Sequence, residues 1–214
     1  MATTSNKLGL KIPSFTDEVE ATLNDLAGNF QTLDNVSEEY VSKPPLDGLY
    51  NAGKRMWNNY QLTQTHAGWS NIRTGNCAPI WESSKAYVVG SKVVPVRDNG
   101  HYYECVQAGN SGVTEPIFPV SANGQVQDVR GSNTWIASHM YKVNDIALPS
   151  IDNGRFYLCV QAGESNASEP VWSLVDGNTT YDKNVAWRSY RIAKWKESGP
   201  AALFKAFGKF DEVI

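Results

Sequence analysis

Apolar residues near the N-terminus recur at alternating spacings of four and three, which is typical of an α-helix with one apolar stripe. Asp17 and Glu18 precede the stripe, and acidic residues at that place favour the start of a helix. The stripe fills the a and d sites of about two heptads, a length that is marginal for an isolated helix. The sequence therefore predicts either a helix packed on its own domain or a short oligomeric stalk, with a trimer favoured, through Val19, Leu23, Leu26, Phe30 and Leu33.

Beyond residue 80 the pattern changes to short apolar runs separated by turn residues, which is typical of antiparallel β structure. Asp-Asn-Gly at 98–100 lies between two such runs, and Asn and Gly tolerate the positive φ of a tight hairpin. Side chains alternate along the strand that follows, so Tyr103 and Cys105 share one face. We predict that this face is the core.

The same features occur a second time in the chain. Residues 81–118 align without gaps on residues 135–172 at a constant offset of 54, and 17 of the 38 aligned positions are identical. Each copy predicts a small antiparallel sheet that ends near a further tryptophan. Trp135 is expected to close the first copy and open the second, and Trp187 to close the second. We therefore expect two modules in tandem with almost no linker.

The expected fold is mainly β with a short N-terminal helix, in which two tandem small antiparallel β modules follow an N-terminal anchoring segment. Its segments are a leader and helix for anchoring and oligomerisation (1–43), a connecting segment (44–80), β module one (81–134), β module two (135–190) and a C-terminal docking segment (191–214). The last segment carries an apolar stripe at helical spacing, which predicts a short helix that docks on the protein's own body or on a neighbouring chain. The stripe consists of Leu203, Phe204, Phe207 and Phe210.

Charge and hydropathy exclude several classes of partner. The net charge is −3 and the pI is about 5.6, without the basic footprint of a nucleic-acid-binding protein, so no nucleic-acid partner is expected. No run approaches the ~18 apolar residues of a membrane span. Residues 1–12 lack the apolar segment of a secretory signal. We expect a chain that stays in the cytoplasm that makes it until it joins a larger particle.

Candidate catalytic and metal-binding groups are few. The three cysteines form no C-x-x-C pair and the histidines have no metal-ligand spacing, so we predict buried thiols and neither metal nor cofactor. Cys105 beside His101 suggests a nucleophile and a base, but Arg155 takes the histidine position in the second copy. Glu115 and Glu169 stand at equivalent places before proline, which favours a turn role over a glycosidase acid pair. We expect a non-enzymatic protein.

The first copy spells W-x5-Y-x2-G-x2-V, then Asn-Gly-x2-Tyr-x-Cys, then Gly-x-Ser-Gly-x-Thr-Glu-Pro before a further Trp. This pattern resembles the small carbohydrate-binding modules of families 5 and 12, of chitin-binding type, in the divergent form carried by many phage structural proteins. The resemblance covers about half the chain and implies the fold. Chitin-binding members carry adjacent tryptophans that stack on sugar on the strand after the Gly-x2-Tyr element, whereas residues 105–108 here contain no aromatic. The fold can therefore be inherited without the sugar site.

Four aromatic residues are candidates for stacking on a glycan, because they lie off the predicted core face: Tyr102, Phe118, Phe156 and Trp172. Aromatic faces stack on the apolar faces of sugars, and polar neighbours such as Gln107 and Gln161 would hydrogen-bond hydroxyls. The alternative is that these rings pack against the other module or a neighbouring subunit, which the sequence slightly favours.

Two short motifs near the N-terminus, Lys-x-Gly-Leu-x-x-Pro at 7–13 and Asn-Phe-x-x-Leu-Asp at 29–34, resemble the start of many phage fibre and appendage proteins. In those proteins the leader docks the appendage on the particle. The resemblance implies a structural component of a tailed-phage virion, such as a tail fibre or fibre adaptor, with other virion proteins and further copies of itself as partners. The alternatives are a head fibre or capsid decoration protein, and a glycan-binding module that aids host adsorption.

Overall fold

The computed structural model describes residues 3–6, 8–36, 38–60 and 65–209, and it confirms a mainly β fold with one helix near the N-terminus of the described chain. The helix, α1, is Val19–Val36. The first strands are β1 Thr3–Thr4, β2 Lys11–Ile12, β3 Tyr40–Val41, β4 Leu49–Tyr50, β5 Arg55–Asn58, β6 His66–Asn71, β7 Gly75–Asn76, β8 Ala86–Tyr87, β9 Lys92–Val93, β10 His101–Gln107 and β11 Gly109–Asn110. The remaining strands are β12 Gln125–Gln127, β13 Asn133–Thr134, β14 Met140–Tyr141, β15 Ile146–Leu148, β16 Arg155–Gln161, β17 Gly163–Glu164, β18 Thr179–Asp182, β19 Val185–Arg191, β20 Lys194–Pro200 and β21 Phe204–Lys209.

The chain divides into two compact units, of which the first comprises Met1–Pro44, Arg55–Ser70 and Ala206–Ile214. It holds α1, the antiparallel pair β1–β2, and most of a sheet in the order β21-β6-β5-β3. In that sheet β5 pairs antiparallel with β6 and parallel with β3. Phe207 packs edge-on against Trp57, with ring centroids 5.6 Å apart.

The predicted C-terminal helix is wrong, because residues 204–209 form strand β21. Three described apolar residues are too few to separate a helical from a strand period. Pairing beside β6 decides the outcome, and Gly208, with φ +62, does not fit a helix. Phe210 lies outside the described residues.

The second unit comprises Pro45–Lys54 and Asn71–Lys205 and contains both β modules. The second module is a sheet in the order β13-β15-β16-β19-β18 with the short pair β14–β17. The first module is a sheet in the order β12-β20-β10-β9 with the short pair β11–β8. The predicted core face is confirmed, since the Tyr and Cys side chains of both long strands are fully buried, namely Tyr103, Cys105, Tyr157 and Cys159.

The first module is closed by a strand that the sequence did not assign to it. β10 pairs antiparallel with β20, as β16 pairs with β19 in the second module. Trp195 on β20 therefore stands where Trp135 was expected, although Trp135 does open the second module. The second module is inserted between β12 and β20, so the boundary expected at 134–135 does not separate two self-contained sheets.

A buried aspartate joins the two tryptophans of the first module. The Oδ2 atom of Asp128 accepts hydrogen bonds from Nε1 of Trp81 and Nε1 of Trp195, both at 2.7 Å, and Oδ1 accepts one from the backbone N–H of Gly112 at 3.1 Å. Burial raises the pKa of Asp128, although these donors favour its charged form. The aspartate thus links the opening of the module to a strand that follows the whole second module.

The second module repeats this arrangement at the 54-residue offset. The Oδ2 atom of Asp182 accepts from Nε1 of Trp135 at 2.8 Å and from Nε1 of Trp187 at 3.2 Å, and Oδ1 accepts from the backbone N–H of Asn166 at 2.8 Å. Here all the partners lie within one continuous stretch of chain. Equivalent aspartates therefore join the two tryptophans in both modules, although the first module is interrupted by an insertion and the second is continuous.

Part of the predicted connecting segment, 44–80, has the same backbone arrangement as the two modules. In this arrangement, which we call a frame, a Tyr and a Gly pair between two short strands, and a later part of the chain returns to close them. Tyr50 pairs with Gly75 between β4 and β7, as the equivalent Tyr and Gly pair in both modules. The returning chain donates from the backbone N–H of Ala202 to the carbonyl of Asn76 at 2.9 Å, just as Ala193 donates to Asn110 in the first module at 3.1 Å. In the second unit the three frames thus open in chain order and close in reverse order.

Candidate functional site

Three of the four rings predicted to stack on a glycan are buried. Tyr102 is 9% exposed, Phe118 7% and Phe156 2%. Phe118 belongs to the core of the first module, where its centroid lies 4.3 Å from that of Tyr103. Phe156 packs in a cluster with Ile192 of the segment that leaves the second module. The prediction does not fit these three positions, because an enclosed ring has no face for a sugar.

The glutamines predicted to bind sugar hydroxyls are already engaged. Nε2 of Gln107 donates to the carbonyl of Ile192 at 2.8 Å, and Nε2 of Gln161 donates to the carbonyl of Asn184 at 3.0 Å. Both acceptors lie on the chain that returns to close the module. These amides therefore hydrogen-bond to the segment that closes each module. The alternation of residues along the strand did not predict this role.

The groups considered for catalysis serve structural hydrogen bonds. Oε1 of Glu115 accepts from the backbone N–H of Val96 at 2.7 Å, and Oε1 of Glu169 does the same for Ser150 at 2.9 Å. Sγ of Cys105 donates to the carbonyl of Gln107, and burial raises its pKa. All three cysteines are buried thiols, as predicted. Within the described ranges, no three His, Cys, Asp or Glu side chains converge to hold a metal ion.

Trp172 differs from the other three predicted rings, because it is only partly buried. Its ring stacks on Tyr157 with centroids 4.0 Å apart, and its Nε1 donates to Oε1 of Glu169 at 2.6 Å. Burial raises the pKa of Glu169, but the hydrogen bonds from Ser150 and Trp172 outweigh it and the net shift is downward. Trp172 is thus held rigidly at the wall of a concave surface.

That surface, which we call the β18 concavity, has a volume of about 610 Å³, within the range of ~300–1,000 Å³ that is typical of small-ligand sites. Its walls come from the Glu-Pro loop and from strand β18 of the second module. Its exposed aromatic residue is Tyr181, which was not among the residues predicted from the sequence. The residues that matter most to its chemistry are Ser168, Glu169, Trp172, Thr179, Tyr181 and Lys183.

Strand alternation explains why Tyr181 points outward. Along β18, Thr180 and Asp182 are buried while Thr179 and Tyr181 are exposed. Asp182 is held by two indole donors, so the register of the strand is fixed and the ring of Tyr181 is left on the outer face. The sequence carries no signal for this position, because alternation of apolar and polar residues along 179–182 would place Tyr181 on the buried face and Asp182 outside.

The helix α1 carries the second candidate surface. Its five heptad positions are between 37% and 77% exposed, and we call them the α1 seam: Val19, Leu23, Leu26, Phe30 and Leu33. The alternative of a helix that buries this stripe on its own domain is therefore not what the structure shows. An exposed apolar stripe of this kind typically marks an interaction site.

The leader lies against the helix through the side chain of Asn29 and through an ion pair in which Nζ of Lys11 lies 3.8 Å from Oδ1 of Asp25. The Oδ1 atom of Asn29 accepts from the backbone N–H of Lys11 at 2.7 Å, and Nδ2 of Asn29 donates to the carbonyl of the same residue at 2.6 Å. Asn29 thus pairs with the backbone of β2 as a further strand would. This joins the two leader motifs, although Lys7, at the start of the first, lies outside the described residues.

Among the described residues, no helix has both the length and the apolar character that crossing a membrane requires. No protein-family model, no curated protein and no solved structure matches the chain. The case for a function therefore comes from the geometry of the chain itself.

Proposed function

We propose that the protein is a non-enzymatic structural component of a tailed-phage particle, such as a tail fibre, a fibre adaptor or a similar appendage, and that it resides in the virion. The observation that carries the proposal is the α1 seam, whose heptad positions are all exposed in a single chain. An a/d stripe is the surface that a coiled coil buries between its helices, and further copies of the chain would supply the matching stripe. The resemblance of the leader to those of phage appendage proteins supports the same role.

The α1 seam favours a homo-oligomer, and a trimer is the state that we propose. A stripe of about two heptads is too short to hold a coiled coil by itself, so the β structure that follows must take part in the assembly. The leader docked by Asn29 is available at the start of such a stalk, where another virion protein would contact it. The partners proposed are further copies of the chain and other structural proteins of the particle.

The oligomeric state tests this proposal directly. Sedimentation velocity of the full chain over a wide range of concentration is expected to show an oligomer, and the double variant Leu23→Glu with Phe30→Glu is expected to be a monomer. The matched control is Asn24→Glu with Gln31→Glu, which places the same two charges one residue away from the seam. A wild-type chain that stays monomeric at every concentration would overturn the proposal.

Incorporation into particles tests the anchoring role. A chain without residues 1–40 is expected to be absent from purified virions, and the seam variant is expected to be depleted. Labelled protein in micrographs then distinguishes a tail location from the head fibre or capsid decoration alternative. Incorporation that is unchanged by the deletion would contradict the role of the leader.

A second candidate function is a glycan-binding module that aids host adsorption. It is favoured by one observation, the β18 concavity, which exposes an aromatic ring beside polar groups on a rigid β framework. The two functions are compatible, because an appendage that contacts the host needs a binding surface away from its anchor.

A further inference from the structure

The β18 concavity offers two kinds of contact side by side. The ring of Tyr181 is 76% exposed, and the side chain of Val171 is exposed beside it. The hydroxyls of Ser168 and Thr179 line the same surface and make no side-chain hydrogen bond within the described part of the chain. An apolar face next to uncommitted hydroxyls matches a ligand with an apolar ring face and hydroxyls at its rim, which describes a pyranose.

The charged groups around the concavity already have partners. Asp182 accepts three hydrogen bonds, Glu169 accepts from Ser150 and Trp172, and Lys183 pairs with Glu164. Among the described residues, the surface thus presents no charged group that lacks a partner within the protein. The site therefore favours a neutral ligand.

The first module provides an internal comparison on the same backbone. At the 54-residue offset, Gln127 stands where the second module has Tyr181, and Ser121 stands where it has Val175. The outer face of β12 thus lacks the aromatic ring of β18. The comparison assigns the binding surface to the second module only.

The nested connectivity also distinguishes the second module. It joins the rest of the chain only through the first module, since the chain enters it after β12 and leaves it before β20. Both chain ends are therefore separated from it by the first module. If the N-terminal leader is the anchor, the chain reaches the second module only after it has passed through the first module.

We infer that the β18 concavity binds a neutral pyranose of a surface glycan, stacked on the ring of Tyr181 and hydrogen-bonded at the rim by Ser168 and Thr179. This rests on the glycan-binding function proposed above and names its site and ligand class. The ring that carries the contact is Tyr181, rather than the core rings Tyr102, Phe118 and Phe156. Trp172 serves as the wall that positions the Glu-Pro loop.

The test uses the full chain on an array of neutral hexose and N-acetylhexosamine oligosaccharides, with sialylated and uronic-acid-containing oligosaccharides as charged comparators. The array hits are then titrated in solution by saturation-transfer difference NMR. We expect binding of neutral glycans, a loss of at least about tenfold in affinity for Tyr181→Ala, because this variant removes the stacking ring, and near wild-type affinity for Tyr181→Phe.

The matched control is Gln127→Ala at the equivalent place of the first module, which should leave binding unchanged. No glycan bound by the wild type at millimolar concentration, binding confined to charged glycans, or equal binding by Tyr181→Ala would each overturn the inference. Thermal unfolding of the variants shows whether they fold, which an exposed position should permit.

Failure here is separable from failure of the structural role. A chain that forms oligomers and enters particles but binds no glycan overturns only the present inference. Glycan binding by the monomeric Leu23→Glu, Phe30→Glu variant, at unchanged affinity per site, would show that the concavity acts independently of the α1 seam.

Discussion

The two β modules share a framework at a constant offset, but they obtain their closing strands differently. In the second module β19 follows β18 directly, whereas in the first module β20 arrives only after the whole second module. The cost of such an insertion is small, because doubling the length of a loop costs only about 0.6 kcal/mol in closure entropy. The duplication in the sequence therefore predicts the interior strands of each module, but it does not predict which later strand completes the sheet.

The largest expected effect comes from removing the ring that closes the first module. Trp195→Ala should lower the free energy of unfolding of the first module by about 3–5 kcal/mol, the usual cost of deleting a fully buried large ring. It also takes away one of the two indole donors to Asp128. Hydrogen exchange should show lost protection in β10, with β16 as the internal reference.

Trp187→Ala is the matched control and should remove protection from β16 before β10. If Trp135→Ala opened β10 while Trp195→Ala left it protected, the first module would be closed as the sequence alone suggests. The pair of variants thus decides between nested and tandem modules.

Local pattern predicted much of the fold, because the information lies in residues that are close along the chain. The Asp-Asn-Gly turns, the Tyr and Cys core positions and the helix from Val19 all follow from spacing. The closing partner of β10 does not, because strand alternation in 194–200 fits any neighbouring sheet. The third frame around Tyr50 was not predicted because its sequence likeness is short: it keeps Tyr50-x2-Gly53 and Gly75-Asn76, but Asn71 lies where the modules have the core cysteine.

The candidate site was predicted less well than the fold. Because Tyr102 faces away from the core residue Tyr103, it was predicted to be exposed, but its ring is only 9% exposed and lies beside Gly199 and Lys92. Tyr181 lies outside the aligned block of the two copies, so the comparison of copies did not draw attention to it. Whether the second face of a strand is open depends on tertiary packing, which strand periodicity does not report.

A smaller loss of stability is expected from substitutions at the glycines that the returning chain packs against in each module. A β-carbon at Gly109 would lie 2.5 Å from the carbonyl oxygen of Arg191, and one at Gly163 would lie 2.5 Å from that of Asn184. Gly109→Ala should therefore cost roughly 2 kcal/mol, as overpacking commonly does, with protection lost in β10 and β20. Gly163→Ala should affect β16 and β19 instead.

Gly28→Ala in α1 is the control for these substitutions, because no atom beyond its chain neighbours and the backbone of its own helix lies within 4 Å of the added carbon. Urea denaturation followed by hydrogen exchange measures all three variants. An unchanged stability of Gly109→Ala would mean that the crossing is loose, and the modules would then be less tightly coupled than the hydrogen bonds indicate.

The two modules should respond differently to acid, because the contact between the long strand and the closing strand differs between them. In the first module His101 Nδ1 lies 2.8 Å from Oε1 of Glu197, whereas in the second module Arg155 donates to Ser189 and Asp176. The hydrogen bond with His101, followed by backbone donors, lowers the pKa of Glu197 below the ordinary value of 4.5.

Because the folded pKa of Glu197 is lowered, its contribution to stability is present above pH 4.5 and is lost as the pH falls through the lower folded value. The first module of the wild type should lose protection in β10 over this window. Glu197→Gln should reduce the pH dependence of β10 and leave that of β16 unchanged. An identical acid profile for the variant and the wild type would contradict this role of the carboxylate.

The smallest expected effect concerns the turn after the first tyrosine of each module, where the two copies differ in residue but not in backbone. Gly90 has φ +86, and Asn144 occupies the equivalent place with φ +74. Asparagine and glycine tolerate this region, whereas other residues lose about 1–2 kcal/mol there. No atom lies within 4 Å of a β-carbon at Gly90, so any cost of substitution comes from the backbone.

Gly90→Asn should therefore change the free energy of unfolding by less than about 0.5 kcal/mol, while Gly90→Ala should cost about 1 kcal/mol. Equal losses for both variants in urea denaturation would show that the two turns are not equivalent, and the loss of this glycine in the second copy would then need another explanation.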